Sequence, residues 1–236
     1  QAKKLLADGA DIIDIGGEST RPGSVAISAA EELKRVVPVI ERLVAETGAL
    51  VSIDTTKASV AKAALAAGAG LVNDISSLSD PEMPEVIVAA DAAVCLMHMQ
   101  GTPQTMQQGP SYGDLMGEII QYLEEKLAIA RKAGILHTKI IVDPGFGFGK
   151  TVNHNLTILA RLKELKSLGR PILVGTSRKS FIGAILDLPV TERLEGTAAT
   201  VALAINNGAN FVRVHDVAAL ARVVKITDQI LRREKN

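Results

Sequence analysis

The chain has 236 residues, 26 Lys and Arg against 26 Asp and Glu, 47% hydrophobic residues and 3% aromatic residues with no Trp. That length suits one large α/β domain; the balanced charge supplies no global field for nucleic acid or an anionic membrane, and so few aromatic rings leave little for single strands to stack on. The lone cysteine, Cys95, excludes an intramolecular disulfide and fits a reducing, cytoplasmic setting; it lies in an apolar run, AAVCLMHM, that reads as core, and no stretch approaches the roughly 18 apolar residues of a membrane span.

Residues 1–10, QAKKLLADGA, read as the second half of a helix that ends at Gly9. Short apolar runs then recur at 11–16, 50–54, 71–75, 93–99, 139–143, 171–176 and 211–215, which predict seven strands. Helical patterns separate them at 28–47, 57–67, 81–91, 114–134, 155–168 and 192–207, with a last helix over 217–233. A weak repeat underlies the series, in which an alanine-rich helix closes on Gly9, Gly68, Gly134 or Gly208 and a strand follows. Strict alternation predicts parallel strands with helices outside.

A TIM (β/α)8 barrel needs eight strands, and this chain opens inside the helix that follows the first. The expectation is a barrel whose strand 1 and loop precede Gln1. A doubly wound open sheet is the alternative, but no G-x-G-x-x-G follows the first run, and polar residues end nearly every strand instead of gathering at one switch point. No Pro, Gly or Ser linker divides the chain, so residues 1–236 read as a single domain. The polar stretch 100–113 reads as an active-site loop.

In a barrel the chemistry lies at the C-terminal ends of the strands. There the sequence places GGESTRPG (16–23), SIDTTK (52–57), VNDISS (72–77), LMHMQG (96–101), VDPGFGFG (142–149), GTSRKS (175–180) and RVHD (213–216). Asp54, Asn73 and Asp143 are the acceptors: a carboxylate takes two parallel hydrogen bonds from a guanidine-like edge, which a 2-aminopyrimidinone presents, and an amide serves the remaining ring atoms. For Asp54 a turn or cap role competes, with Thr55 or Thr56 as the N-cap of the next helix.

GTSRKS predicts a strand turning into a short helix, where unpaired N–H groups and two cations, Arg178 and Lys179, form an anion site. Arg213 and His215 share a strand face, and Arg21 reaches toward the same region. Together these cations suggest a diphosphate.

Two other features carry less. GFGFGKT imitates a phosphate-binding loop, but Pro144 stands where its first Gly is required. His98 and His154 lack partners at metal-ligand spacing; His98 reads as a hydrogen-bonded core residue and His154 as part of a helix start.

The blocks DIIDIGGESTRPG, VSIDTTK, LVNDISSL, CLMHMQGTP, IIVDPGFGFGK, LVGTSRKSFIG, ERLEGTAAT and VRVHDV, in this order and spacing, closely resemble the dihydropteroate synthase family over essentially the whole chain. The resemblance implies a TIM barrel that condenses 6-hydroxymethyl-7,8-dihydropterin diphosphate with 4-aminobenzoate, uses Mg²⁺ and forms a homodimer. It also implies roles. Asp54, Asn73, Asp143 and Lys179 hold the pterin, and Ile75, Met97, Phe148 and Gly175 shape its pocket. Arg213 lies against the ring and, with His215 and Arg21, binds the diphosphate. Thr20, Arg21, Pro22 and Ser180 meet the aminobenzoate, and Lys179, Arg213 and Asp54 are the expected catalytic set. The family's Mg²⁺ ligand belongs to the loop of strand 1, so no metal ligand is expected among residues 1–236. Related pterin barrels that pass a methyl group from methyltetrahydrofolate to a corrinoid protein need no diphosphate site, and a non-catalytic pterin binder is the other alternative.

Overall fold

The computed structural model describes residues 1–21 and 23–233. Helix α1 (Ala2–Ala7) leads into β1 (Ile12–Gly16), and the alternation continues through α2 (Ala29–Thr47), β2 (Leu50–Asp54), α3 (Ala58–Ala66), β3 (Leu71–Asp74), α4 (Met83–Ala89) and β4 (Ala93–Met97). The second half adds α5 (Leu115–Lys132), β5 (Ile140–Asp143), α6 (Val152–Ala160), β6 (Leu173–Val174), α7 (Ser180–Leu186), α8 (Leu194–Asn206), β7 (Phe211–Val212) and α9 (Val217–Arg233). The four expected closing glycines, at 9, 68, 134 and 208, all have positive φ.

Several bounds differ from those expected. The pattern over 155–168 is two pieces, α6 and a 3-10 helix at Leu162–Leu168. The last two strands keep only two ladder residues each, because Pro171 has no N–H to give and Thr176 already turns, its carbonyl accepting from the Lys179 N–H at 3.1 Å. His154 does belong to a helix start: it completes a reciprocal capping box with Thr151 at the head of α6.

All strand pairs are parallel, in the order β1-β2-β3-β4-β5 and β6-β7, and a bridge between Val142 and Ile172 joins the two sets. Strand order is therefore chain order. No reversal creates a switch point, which removes the open doubly wound sheet and leaves the wall of a TIM barrel. A cavity of about 770 Å³ opens between β1 and β7, with Ile12, Asp14, Ser52, Phe211, Arg213 and Leu220 among its walls.

The period of two along each strand assigns the side chains. Outward residues Ile13, Val51, Ile53, Val72 and Val94 pack with Val36, Ile40 and Leu43 of α2 and with Val60 and Ala61 of α3, each buried side chain contributing about 1.5–3 kcal/mol. On the other half, Val142, Ile172 and Val174 pack with Ile119, Leu123, Ile158 and Phe181. Inward residues Leu71, Cys95, Ile141 and Leu173 form a small central layer. Two residues further along the same strands come Asn73, Met97, Asp143 and Gly175. The alternation that builds the core thus lifts the polar groups onto one rim.

Candidate active site

The rim gathers charge from separate strands. The Arg213 guanidinium reaches across from the end of β7, donating from Nε to Asp14 Oδ2 at 2.6 Å and from Nη2 to Asp54 Oδ2 at 3.1 Å. Asn73 Nδ2 donates to the same Asp14 oxygen at 3.3 Å. Asp54 is therefore no helix cap. The N-cap position of α3 is Lys57, and the α3 head is served by Asp80, whose Oδ2 accepts from the Ala58 N–H at 2.8 Å, while Thr55 Oγ1 accepts from Lys57 N–H. Burial, and then the neighbouring Asp14 charge, push the Asp54 carboxyl up to about 7 against the pull of Arg213.

Asp143 lies buried at the end of β5, where its Oδ1 accepts from the Gly145 N–H at 2.7 Å. Its other oxygen has no hydrogen-bond partner among the described residues. Burial pushes this carboxyl up to about 6, with the Gly145 bond and the Lys179, Lys150 and Arg213 charges opposing. Lys179, held down to about 8 by burial despite Asp143, lays its ammonium 4.4 Å from the centre of the Phe148 ring.

The 144–150 turn that carries Phe148 is firmly braced. Gly145 has φ +71°, and a Cβ there would stand 1.9 Å from the His98 carbonyl oxygen, so no side chain fits. Buried Lys150 gives its ammonium to Phe148 O at 2.9 Å, His98 Nδ1 at 3.0 Å and His98 O at 3.4 Å. Burial holds His98 down to about 3, so the neutral ring accepts on Nδ1. The 100–113 loop folds onto the same turn, with Gln107 Nε2 donating to Gly147 O at 2.6 Å and the Tyr112 hydroxyl to Gly149 O at 2.7 Å.

The GTSRKS segment departs from expectation in one respect. Arg178 turns away, and its Nε and Nη2 bind the two oxygens of Asp216 at 2.8 and 2.6 Å. One cation of this segment, Lys179, serves the rim. A bidentate carboxylate partner satisfies the Arg178 fork, which removes it as an anion ligand. Helix α7 begins at Ser180, which is exposed, and Arg193 fixes the preceding turn by donating to Arg178 O at 3.1 Å.

His215 lies at the edge of the large cavity, with Nδ1 3.0 Å from Ser177 Oγ. Burial and then the Arg213 charge lower its pKa. Ile75 and Met97 are buried beside the rim, and Gly175 faces Arg213, whose Cβ would be 3.8 Å from a Cβ at that position. Thr20 and Arg21 sit away from these contacts in a turn where Arg21 is exposed, and Pro22 lies outside the described residues. The large cavity overlaps the cluster only on its Asp14, Asn73, Arg213 and His215 side; Asp143, Phe148 and Lys179 are not among its walls.

Asp14 and Lys150 are rim groups that motif reading passed over. Asp14 has a signal, since it is the one charge inside the apolar run IIDIG and a buried charge needs a partner. Lys150 has no such signal, since in the sequence it stands only at the end of the false phosphate loop GFGFGKT.

The raised carboxyls fix a pH dependence. Folded Asp143 and Asp54 titrate near 6 and 7 against an ordinary 3.8, so the native state holds protons that the unfolded chain has released. Their contribution to stability is complete below about 3.8 and is lost as pH rises through 6 and 7. Denaturant melts should show ligand-free stability falling between pH 5 and pH 7.5, and Asp143→Asn should flatten the lower part of that fall; an unchanged slope in the variant would mean other groups govern it.

A TIM barrel with buried acids and an amide on the same rim as Arg213, Lys179 and His215 has the architecture of a pterin-binding enzyme. The sequence profile of the family described as pterin binding enzyme matches residues 1–215. The dihydropteroate synthase of a Synechocystis species is 52% identical over 234 residues, covering 98% of this chain and 81% of the relative. The structure of Yersinia pestis dihydropteroate synthase in a sulfonamide drug complex superposes with a TM-score of 0.96 at 44% identity, covering 98% of this chain and 84% of that one. That of the Clostridium difficile enzyme, solved in the presence of pteroic acid, gives 0.92 at 46% identity, covering 97% and 85%. The chain belongs to the dihydropteroate synthase family, transferases of folate biosynthesis.

Proposed function

We propose that residues 1–236 act as one domain whose rim condenses 6-hydroxymethyl-7,8-dihydropterin diphosphate with 4-aminobenzoate. The observation that carries the reading is the meeting of acceptors from β2, β3 and β5 with Arg213, Lys179 and His215 at the ends of β6 and β7. Asp143 takes the guanidine-like edge of the pterin on its free oxygen, with Asp54 and Asn73 on the remaining ring atoms. Ile75, Met97, Phe148 and Gly175 wall the ring. Arg213 leaves Asp14 and Asp54 far enough to meet the diphosphate with His215 and Arg21, while Thr20, Arg21, Pro22 and Ser180 receive the aminobenzoate.

In the reaction the bond between the pterin methylene carbon and the diphosphate oxygen breaks, and the electron pair leaves with the diphosphate. The amine nitrogen of aminobenzoate bonds to that carbon and releases one proton. Arg213 and Lys179 stabilise the departing charge, which is where fixed cations lower the barrier most. Asp54 supports the positive charge that develops on the pterin. An aromatic amine is already nucleophilic, so no covalent enzyme intermediate is required.

Mg²⁺ is implied by the family resemblance. Among the described residues no group of three or more His, Cys, Asp or Glu side chains is arranged for a metal ion, and Asp14 and Asp54 are held by Arg213. This donor set does not form a metal centre of protein ligands alone; an Mg²⁺ held mainly by substrate phosphates needs at most one or two carboxylates. Leu203, Ile226 and Ile230, exposed on α8 and α9, support the implied homodimer, which sedimentation velocity tests. A cytoplasmic setting accords with the single buried thiol of Cys95.

The test is calorimetry with pterin diphosphate, with and without aminobenzoate and Mg²⁺, followed by a diphosphate-release assay. Binding followed by aminobenzoate-dependent release of diphosphate is the expected result. Tight binding without release defines a non-catalytic binder, and preference for methyltetrahydrofolate over the diphosphate defines a methyl carrier; either overturns the proposal.

A further inference from the structure

The loop between β1 and α2 carries the half-buried Thr20 and the exposed Arg21, and its base is fixed by a charge cluster outside the rim that is built on one buried carboxylate, Glu32, with Glu18 and Lys57 half-buried beside it. Glu18 uses both carboxylate oxygens: Oε1 accepts from the Ile27 N–H at 3.1 Å, closing the loop across nine residues, and Oε2 meets the Lys57 ammonium. The same ammonium binds Glu32 Oε2 at 2.6 Å. Glu32, on α2, is fully buried, and its Oε1 has no hydrogen-bond partner among the described residues. Gly17 lies flat against it, where a Cβ would be 2.9 Å from Glu32 Cγ, and Arg35 Nη1 donates to Gly17 O at 3.0 Å.

Lys57 therefore cannot drift. A buried carboxylate left without its cation is strongly destabilising, so Glu32 holds Lys57 and Lys57 holds Glu18. Lys57 is also the N-cap position of α3, three residues after Asp54. One ammonium joins α2, the base of the β1–α2 loop and the turn that follows Asp54.

We propose that Lys57 is a positioning residue: through Glu18 it sets where the loop bearing Thr20 and Arg21 stands over the rim, and so controls aminobenzoate binding separately from pterin binding. The inference rests on the reading that this loop meets the aminobenzoate. Misplacement by about 1 Å of a group that orients a reactant is enough for large losses, and Arg21 follows Glu18 by only three residues of loop, none of them buried.

The experiment is steady-state kinetics on the full-length protein with both substrates varied. Glu18→Gln keeps the Lys57–Glu32 pair and cuts the tether; it should raise the KM for aminobenzoate by about tenfold, leave the KM for pterin diphosphate within about twofold, and leave the Tm near that of the parent. Lys57→Arg should keep parental values. Lys57→Met combined with Glu32→Met, which leaves no charge at the fully buried Glu32 position, should reproduce the Glu18→Gln kinetics. Arg21→Ala is the control for the underlying reading. If Arg21→Ala raises the aminobenzoate KM and Glu18→Gln does not, the positioning role is wrong. A parallel loss of both KM values and kcat in Glu18→Gln also refutes it, because that is general damage. If neither variant moves the aminobenzoate KM, the assignment of the loop fails instead.

Discussion

Asp143→Asn is expected to weaken pterin binding by about 3 kcal/mol, on the order of 100-fold in Kd, while leaving the protein folded. The argument is geometric. The Gly145 N–H already claims one oxygen at 2.7 Å, and an amide has only one oxygen to give. The Asn side chain therefore turns its NH₂ toward the ligand, opposite the ring N–H and amino donors that the carboxylate accepts. Donor faces donor, and a charge-assisted pair becomes an unsatisfied one. Stability should move the other way. At pH 8 the native state carries a buried carboxylate whose pKa has been pushed up to about 6 by burial, so removing the charge leaves the Tm unchanged or higher. Calorimetry and a thermal melt on one preparation separate the two effects. Parental pterin affinity in the folded variant refutes the assignment.

Arg213→Ala is expected to lower kcat by about 10²–10³ and to weaken diphosphate binding. It should also change the pH profile. Arg213 is the cation that joins Asp14 to Asp54. Without it, two neighbouring carboxylates share a partly buried site, and such a pair keeps a proton. Asp54, already raised to about 7, should rise further, so pterin affinity in the variant should recover as pH increases from 7 to 9. Arg213→Lys should restore part of the turnover, because it returns the charge without the planar fork that spans two acceptors. If the variant unfolds at a lower temperature and its folded fraction turns over normally with an unshifted pH profile, Arg213 is structural.

Much of this arrangement was legible before any coordinates. Runs such as IIVD and LVND announce strands whose outward residues are apolar and whose last residue is polar. Period two then places Asn73, Asp143 and Met97 on the inner face. Ile75, Phe148 and Gly175 are pocket residues by the family resemblance alone. The pairing of cations was not legible. Arg178 and Lys179 are adjacent in sequence and read alike, but a left-handed residue at 178, with φ +56°, sends the two side chains to opposite sides, one to Asp216 and one to the rim. Asp14 was hidden for the complementary reason. Its partner, Arg213, is 199 residues away, a separation at which no local pattern operates.

The sequence by itself determined the parallel barrel wall, the inner face of each strand and the rim on which the polar groups gather, because the alternation of strand and helix and the period of two are local properties of the chain. The tertiary structure decided which charges neutralise one another. Arg213 bridges Asp14 and Asp54, Lys150 is enclosed by carbonyls and His98, and Lys57 joins Glu18 to Glu32. A charge taken out of water needs a partner, and Arg213 and Lys57 find theirs on other strand ends and on α2, segments far apart in the chain that meet only in the folded wall.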